Sequence, residues 1–437
     1  MSSNRPETSI PGRSSSATPQ DVAEKSLSVI TTSQYVPQAN DLVVALLRML
    51  RASKVYIPSA FLQSEAVDSS LLLGHGTSFT VTRQAVPRGH SSMADRLDFG
   101  RFVSLIMPFQ PAKRPQYVVY KSPRIQFQPN GEPISKDCRA LQSVLTEIHA
   151  LLHPPLLRHA NIIDILGVAW GSNSTNPAQR LPVLVVEYGD KGTLADVQVG
   201  NSPLSHELKR QIALGIASGL QALHEESIVH GDLKPENIIM CSDEQNILIP
   251  KLGDFGFAII EAAEAPSVML AGTRPWRAPE SHSFLPVSML KFTDVYSFGL
   301  VAWSIAIDGK KPLDVIIPDY ASREERLLAF DRLKTDDQLK KLSSFEYWVP
   351  YWLRSRPEPG GELKPDNHRS STDSFNPSDR SVDRTVTTAI CTSLRGEVFF
   401  SSLERVLMST LSLQPTERDL PLAIRFLEEI AAGDATT

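Results

Sequence analysis

Cysteine is scarce in this 437-residue chain: Cys138, Cys241 and Cys391 lie far apart and share no metal-ligand spacing. That excludes a disulfide framework or a zinc cluster and fits a reducing compartment. Positive charge is not in surplus either. Lysine and arginine number 44 against 49 aspartates and glutamates, a formal charge of −5, so no bulk basic field exists for nucleic acid or anionic lipid. No apolar run approaches the roughly 18 residues of a membrane span, and residues 1–30 lack the apolar block of a secretory signal. The hydrophobic peak, 298–307, is too short to span a bilayer and reads as a buried helix. These absences predict a cytoplasmic protein with no transmembrane segment and no nucleic-acid partner. Internal repeats and heptad arrays are also missing. What is present, 41% hydrophobic and 21% charged residues, is the composition of a globular protein able to bury a core.

Two polar regions punctuate the chain. Residues 1–40 are rich in Ser, Thr and Pro without sustained periodicity and read as a disordered tail, because such a segment cannot offset the entropy of ordering. Residues 354–388 have the same character and read as a disordered insertion within a folded domain. Tail and insertion are the segments open to partner proteins. Between them, Leu42, Val43, Leu46, Leu47 and Leu50 recur at helical spacing, predicting a helical extension over 41–66 that docks on the domain C-terminal to it. From Leu71 to Glu187 short β-rich runs (79–81, 117–120 and 183–186) accompany one helix. The remainder is mainly helical. Leu208, Ile212, Ile216, Leu220 and Leu223 form an amphipathic stripe that delivers the chain to His230.

Residues 230–237 read His-Gly-Asp-Leu-Lys-Pro-Glu-Asn, and Asp254-Phe255-Gly256 begins seventeen positions after Asn237. Here the sequence resembles the eukaryotic protein kinase family, whose catalytic loop H-R-D-L-x-x-x-N precedes D-F-G. Only the arginine is missing. The resemblance runs from about Leu71 to Leu427 and implies an α+β, two-lobed protein kinase fold, with a small β-rich N-lobe over 67–187 and a large helical C-lobe over 188–430. It implies Ser/Thr-type transfer of the ATP γ-phosphate to a protein substrate, with Mg²⁺. The transferring phosphoryl group spreads negative charge over its oxygens, so the site must supply positioned charge. Asn237 and Asp254 are hard oxygen ligands suited to Mg²⁺. By resemblance Asp232 orients the accepting hydroxyl and takes its proton, and Lys234 places a cation beside the moving phosphate, as in the Ser/Thr-directed branch. His230 is structural by resemblance and packs against the Phe of D-F-G.

The nucleotide side is assigned in the same way. Residues 73–81 resemble the glycine-rich loop, with Gly74 and Gly76 where backbone amides approach phosphates and Phe79 in place of the third glycine. Val81 is then the cover of the adenine ring and Ile239 its floor. Tyr117-Val118-Val119-Tyr120-Lys121 resembles V-A-I-K, making Lys121 the contact for the α- and β-phosphates. Gly74 and Lys121 stand 47 positions apart, so an insertion near 87–115 must loop out. The helix carrying Leu141, Val144, Leu145, Ile148, Leu151 and Leu152 turns Glu147 onto or beside its buried face, where a carboxylate needs a cation. The family's Lys–Glu pair supplies one. Val186, Glu187 and Tyr188 resemble the hinge, with Val186 as gatekeeper.

Residues 272–280, Gly-Thr-Arg-Pro-Trp-Arg-Ala-Pro-Glu, resemble the end of an activation segment. Glu280 matches the acid of A-P-E, and Arg418 its distant arginine. Asp294 resembles the acid that anchors the catalytic loop, although a helix-start aspartate held by the helix dipole fits the same residue. Gly231 replaces the arginine that in many kinases binds an activation-segment phosphate, which predicts activity independent of such phosphorylation. Ser267 is the only hydroxyl residue between Gly256 and Gly272. His-Gly-Asp also occurs in kinase-like small-molecule phosphotransferases, which generally lack the A-P-E platform. A catalytically silent scaffold is the other alternative, yet Lys121, Glu147, Asp232, Asn237 and Asp254 are all retained.

Overall fold

The computed structural model describes residues 71–75, 79–85, 116–125, 138–172, 180–199, 203–260, 267–270, 272–317, 322–344 and 398–433. The expected tail (1–40), helical extension (41–66), loop insertion (87–115), polar insertion (354–388) and Gly76 lie outside the described residues.

Five antiparallel strands open the fold: β1 (Leu71–His75), β2 (Phe79–Ala85), β3 (Tyr117–Pro123), β4 (Ile165–Ser172) and β5 (Arg180–Glu187), in the order β1-β2-β3-β5-β4. Valine-rich β3 and β5 occupy its middle, where branched side chains pack on both faces of a pleated surface. Register sets the chemistry. Lys121 pairs with Val81 on one side and Leu184 on the other, so its amine rises from the centre of the sheet. The strand runs two residues beyond Lys121, to Pro123. The helix α1 (Cys138–Leu151) lies between β3 and β4 in sequence and buries Leu141, Val144, Leu145, Ile148 and Leu151, the spacing read from sequence.

Helices dominate thereafter: α2 (Leu194–Val199), α3 (His206–Glu225), α4 (Val287–Ala306), α5 (Pro312–Ile316), α6 (Arg323–Thr335), α7 (Gln338–Leu342), α8 (Val398–Thr410) and α9 (Leu420–Gly433). Two-stranded ladders thread between them. They pair β6 (Ile228–Val229) with β9 (Ile259–Ile260), β7 (Ile238–Ser242) with β8 (Leu248–Leu252), and β10 (Val268–Met269) with β11 (Phe284–Leu285). Ser205 caps α3 by accepting the amide of Leu208, and the helix buries Ile212, Ile216, Leu220 and Leu223. Apolar on nearly every side, α4 is enclosed by the other helices, as an all-round apolar helix must be. Among the described residues no helix is long and apolar enough to cross a membrane. One contiguous core runs from Phe79 in the sheet through α1, α3 and α4 to Leu427 in α9.

Candidate active site

A cavity of about 480 Å³ opens between the sheet and the loops that come after α3. Gly74, Phe79, Val81, Val119 and Lys121 line it from β1–β3, Ser143 and Glu147 from α1, and Val186, Glu187, Tyr188 and Gly189 from the end of β5. Asn237, Ile239 and Asp254 line the opposite wall. Residues from six separate stretches of sequence thus share one crevice, with apolar side chains on its walls and charge at its inner end, the usual composition of a small-ligand pocket.

Lys121 stands at the inner end. Its Nζ donates to both oxygens of Glu147, at 2.6 and 2.7 Å, and to Asp254 Oδ1 at 3.2 Å. Burial works against the charge on this amine, but the Glu147 and Asp254 carboxylates outweigh it and hold the ammonium above its ordinary pKa. Burial likewise pushes the Asp254 carboxyl upward; attraction from Lys121, with smaller help from His230 and Lys234, reverses that and leaves it below its ordinary 3.8. Asp254 is thereby kept ionised, with its side chain still 42% exposed. The ring of Phe79 lies 4.7 Å from the Lys121 ammonium and is buried. Where the family pattern has a third glycine, this chain places an aromatic face against the amine of Lys121.

Around Asp232 the geometry is equally specific. Oδ2 accepts from Lys234 Nζ at 2.7 Å and from Asn237 Nδ2 at 3.3 Å, whereas Oδ1 is buried and has no hydrogen-bond partner. An orphaned carboxylate oxygen is costly to keep and accounts for itself if a ligand donates to it. Asn237 Nδ2 also donates to the Asp232 carbonyl at 2.8 Å, leaving the amide oxygen as its free acceptor. Lys234 Nζ reaches Thr273 Oγ1 at 2.9 Å as well, tying the catalytic loop to the segment 272–280.

Supporting contacts fix the loop. His230 packs on Phe255 with ring centroids 5.1 Å apart, and its Nε2 lies 3.1 Å from the Gly253 carbonyl. Asp294 accepts the amides of His230 at 2.7 Å and Gly231 at 3.0 Å. The helix-start reading of Asp294 is wrong: α4 begins at Val287, behind Pro286, which puts Asp294 a full two turns inside, away from the dipole's end. Its charge is held instead by backbone amides and by His224 Nε2 at 3.1 Å.

Of the sequence-predicted site residues, Gly74, Val81, Lys121, Glu147, Val186, Glu187, Tyr188, Asn237, Ile239 and Asp254 line the cavity, whereas Asp232 and Lys234 do not line it and are tied to it through Asn237; Gly76 lies outside the described residues. Sequence reasoning missed Ser143, Phe79's inward turn and the ion pair behind the hinge. In that pair Glu187 Oε1 accepts from Lys251 Nζ at 2.6 Å and from the Asp164 amide at 2.7 Å. Lysine three residues before Asp254 and glutamate next to Val186 were the available signals, but only the fold brings them together.

Residues 128–382, more than half of the chain, match the family model described as protein kinase domain. The match begins after Lys121, so β1–β3 are placed by the sheet alone. Over 161 residues the chain is 37% identical to the mitogen-activated protein kinase kinase kinase dlk-1 of Caenorhabditis elegans, covering 37% of this chain and 16% of that one. It is 29% identical over 269 residues to the leucine-rich repeat receptor-like serine/threonine/tyrosine-protein kinase SOBIR1 of Arabidopsis thaliana, covering 58% and 36%. A calcium and calcium/calmodulin-dependent serine/threonine-protein kinase of Lilium longiflorum is 29% identical over 208 residues, covering 47% and 38%. The matched stretch therefore spans at most about two fifths of any of these three relatives.

Proposed function

The chain belongs to the protein kinase family, and from that premise we propose that it transfers the γ-phosphate of ATP to Ser or Thr hydroxyls of a protein substrate. The observation that carries the reading is the buried, unpartnered Oδ1 of Asp232 beside Lys234 and beside Asn237, which lines the same cavity as Lys121, Glu147 and Asp254. ATP lies between two lobes, 67–187 and 188–430. Val81 and Ile239 enclose the adenine, backbone groups at 186–188 hydrogen-bond it, and Gly74 with Gly76 cover the phosphates. Lys121 neutralises the α- and β-phosphates while Glu147 holds its amine in place.

The donor set suits Mg²⁺. Asp254 supplies a partly exposed, ionised carboxylate and Asn237 a free amide oxygen, and no cluster of three or more His, Cys, Asp or Glu occurs among the described residues. A cation held by few protein oxygens and otherwise by phosphates and water is the habit of magnesium. When bound, it neutralises charge on the triphosphate. Asp232 Oδ1 accepts the hydrogen of the incoming hydroxyl and takes its proton as the phosphate moves, and Lys234 steadies the transferring oxygens. Scarce cysteine supports a reducing, cytoplasmic setting, and the segments 1–40 and 354–388 are the places for partner proteins.

The test is transfer of radiolabel from γ-³²P-ATP to casein by the wild type and by Asp254→Ala. Loss of roughly 100-fold or more in the variant is expected, the scale of removing charge that acts on the transition state. Equal transfer by both proteins would refute the assignment.

A further inference from the structure

The segment 272–278 is fastened to α6 by a group that the catalytic scheme does not use. Lys334, in the last turn of α6, is 2% exposed. Its amine donates to the carbonyl oxygens of Pro275 and, at 2.8 Å, of Arg277, and lies 4.8 Å from the centre of the Phe330 ring. One turn back, Asp331 Oδ2 accepts from Arg274 Nε and Nη2 at 2.7 and 2.5 Å, and the Arg277 guanidinium stands 3.6 Å from the same oxygen. Glu324, in the first turn, takes Arg274 Nη1 at 2.8 Å.

The mount is itself anchored. Ser322 and Glu325 form a reciprocal capping box at the start of α6, and Arg326 ties the helix to Asp314 of α5 at 2.7 Å. A lysine buried under a loop, with two of its hydrogens spent on backbone carbonyls, is expensive to desolvate. Burial above all, opposed by Asp331 and reinforced by Arg277 and Arg274, brings its pKa down to about 7. A methionine would fill the same space without that cost but would leave the Pro275 and Arg277 carbonyls without this donor, so what the amine adds is its hold on that backbone.

We propose that Lys334, with Asp331, is a positioning residue for the protein substrate: it sets the height of the 273–278 backbone on which the residues flanking the acceptor hydroxyl rest. The inference rests on the transferase reading of the site. The same segment links that mount to the reacting groups, since Thr273 meets Lys234 and Lys234 meets Asp232. Displacing the carbonyls therefore moves the substrate's seat relative to Asp232 while leaving the nucleotide cavity, lined by other residues, untouched.

The full chain is compared with Lys334→Met and, as a milder change at a half-buried position, Asp331→Asn. Two measurements are made: steady-state transfer to casein with both KM values, and amide hydrogen exchange across 273–278. Lys334→Met is expected to raise KM for casein at least tenfold and KM for ATP less than twofold. Exchange across 273–278 should accelerate at least tenfold with no change in β1–β5, and Asp331→Asn should move each quantity the same way by about threefold. Unaltered exchange across 273–278, or a KM for ATP that rises as much as that for casein, overturns the proposal. If the wild type binds ATP but labels no casein, the transferase reading fails, and the exchange result alone decides whether Lys334 fastens the segment.

Discussion

On the proposed reading the amine of Lys121 is the cation a triphosphate needs, and it also lowers the pKa of Asp254 against the rise that burial causes. Removing it makes a signed prediction. With Lys121 present the Asp254 carboxyl is held below its ordinary pKa, so it contributes its negative charge to magnesium-dependent nucleotide binding down into the acid range. In Lys121→Met, burial acts unopposed and the carboxyl takes up its proton at a higher pH. The pH at which half of the Mg²⁺–ADP thermal shift is lost should therefore move upward relative to the wild type. An unmoved midpoint would show that Lys121 does not set the ionisation of Asp254. This pairing was legible in part: Lys121, Glu147 and Asp254 each sat in a motif that announced its chemistry. Phe79 and Lys334 carried no such announcement. An aromatic residue in a loop and a lysine near a helix end are ordinary solvated choices until a fold closes over them.

Among the elements, the β10–β11 ladder explains how the segment before 272 is held without an arginine at position 231. Gly231 has φ +76, and a Cβ there would meet the Phe257 carbonyl at 2.6 Å, so a side chain is excluded by backbone on one side and strain on the other. Close by, Leu270 packs with Val229 and Leu290, flanked by Ile259, Val268, Leu285 and Val287. An apolar clasp stands where a phosphate and its receptor would otherwise do the ordering. Ser267→Ala should then keep at least half of the wild-type casein labelling, while Leu270→Asp, which buries a carboxylate in that clasp, should lose tenfold or more. Abolition by Ser267→Ala with rescue by Ser267→Asp would return the switch to phosphorylation. The helical stripes of α1 and α3 and the apolar α4 were readable because their period survives in the sequence. Two-residue strands such as β10 and β11 have no period to read, and their partners lie too far along the chain to guess.

At the scale of the whole molecule, one ion pair joins residues 138 positions apart. Arg418 Nη1 and Nη2 meet the two oxygens of Glu280 at 2.5 and 3.0 Å, a fork-to-fork geometry that also fixes direction. The remaining guanidinium hydrogens go to the carbonyls of Ser412, Phe292 and Leu413, and the Tyr296 ring lies 4.7 Å away. In the sequence only resemblance points to the pairing; nothing in composition or spacing connects the two residues, because an ion pair leaves no periodic trace. Its energetics come from burial. Arg418 is 3% exposed, so Arg418→Met strands the Glu280 carboxylate and removes the donor to three carbonyls, which should cost about 3–5 kcal/mol. Glu280→Gln keeps an acceptor for the guanidinium and should cost less, and the double variant should be no less stable than Arg418→Met, since the stranded charge is gone. Chemical denaturation of the three proteins measures all of this. Additive losses in the double variant would mean that the two side chains are stabilised separately, and that the segment 272–280 and the C-terminal helices are not joined through them.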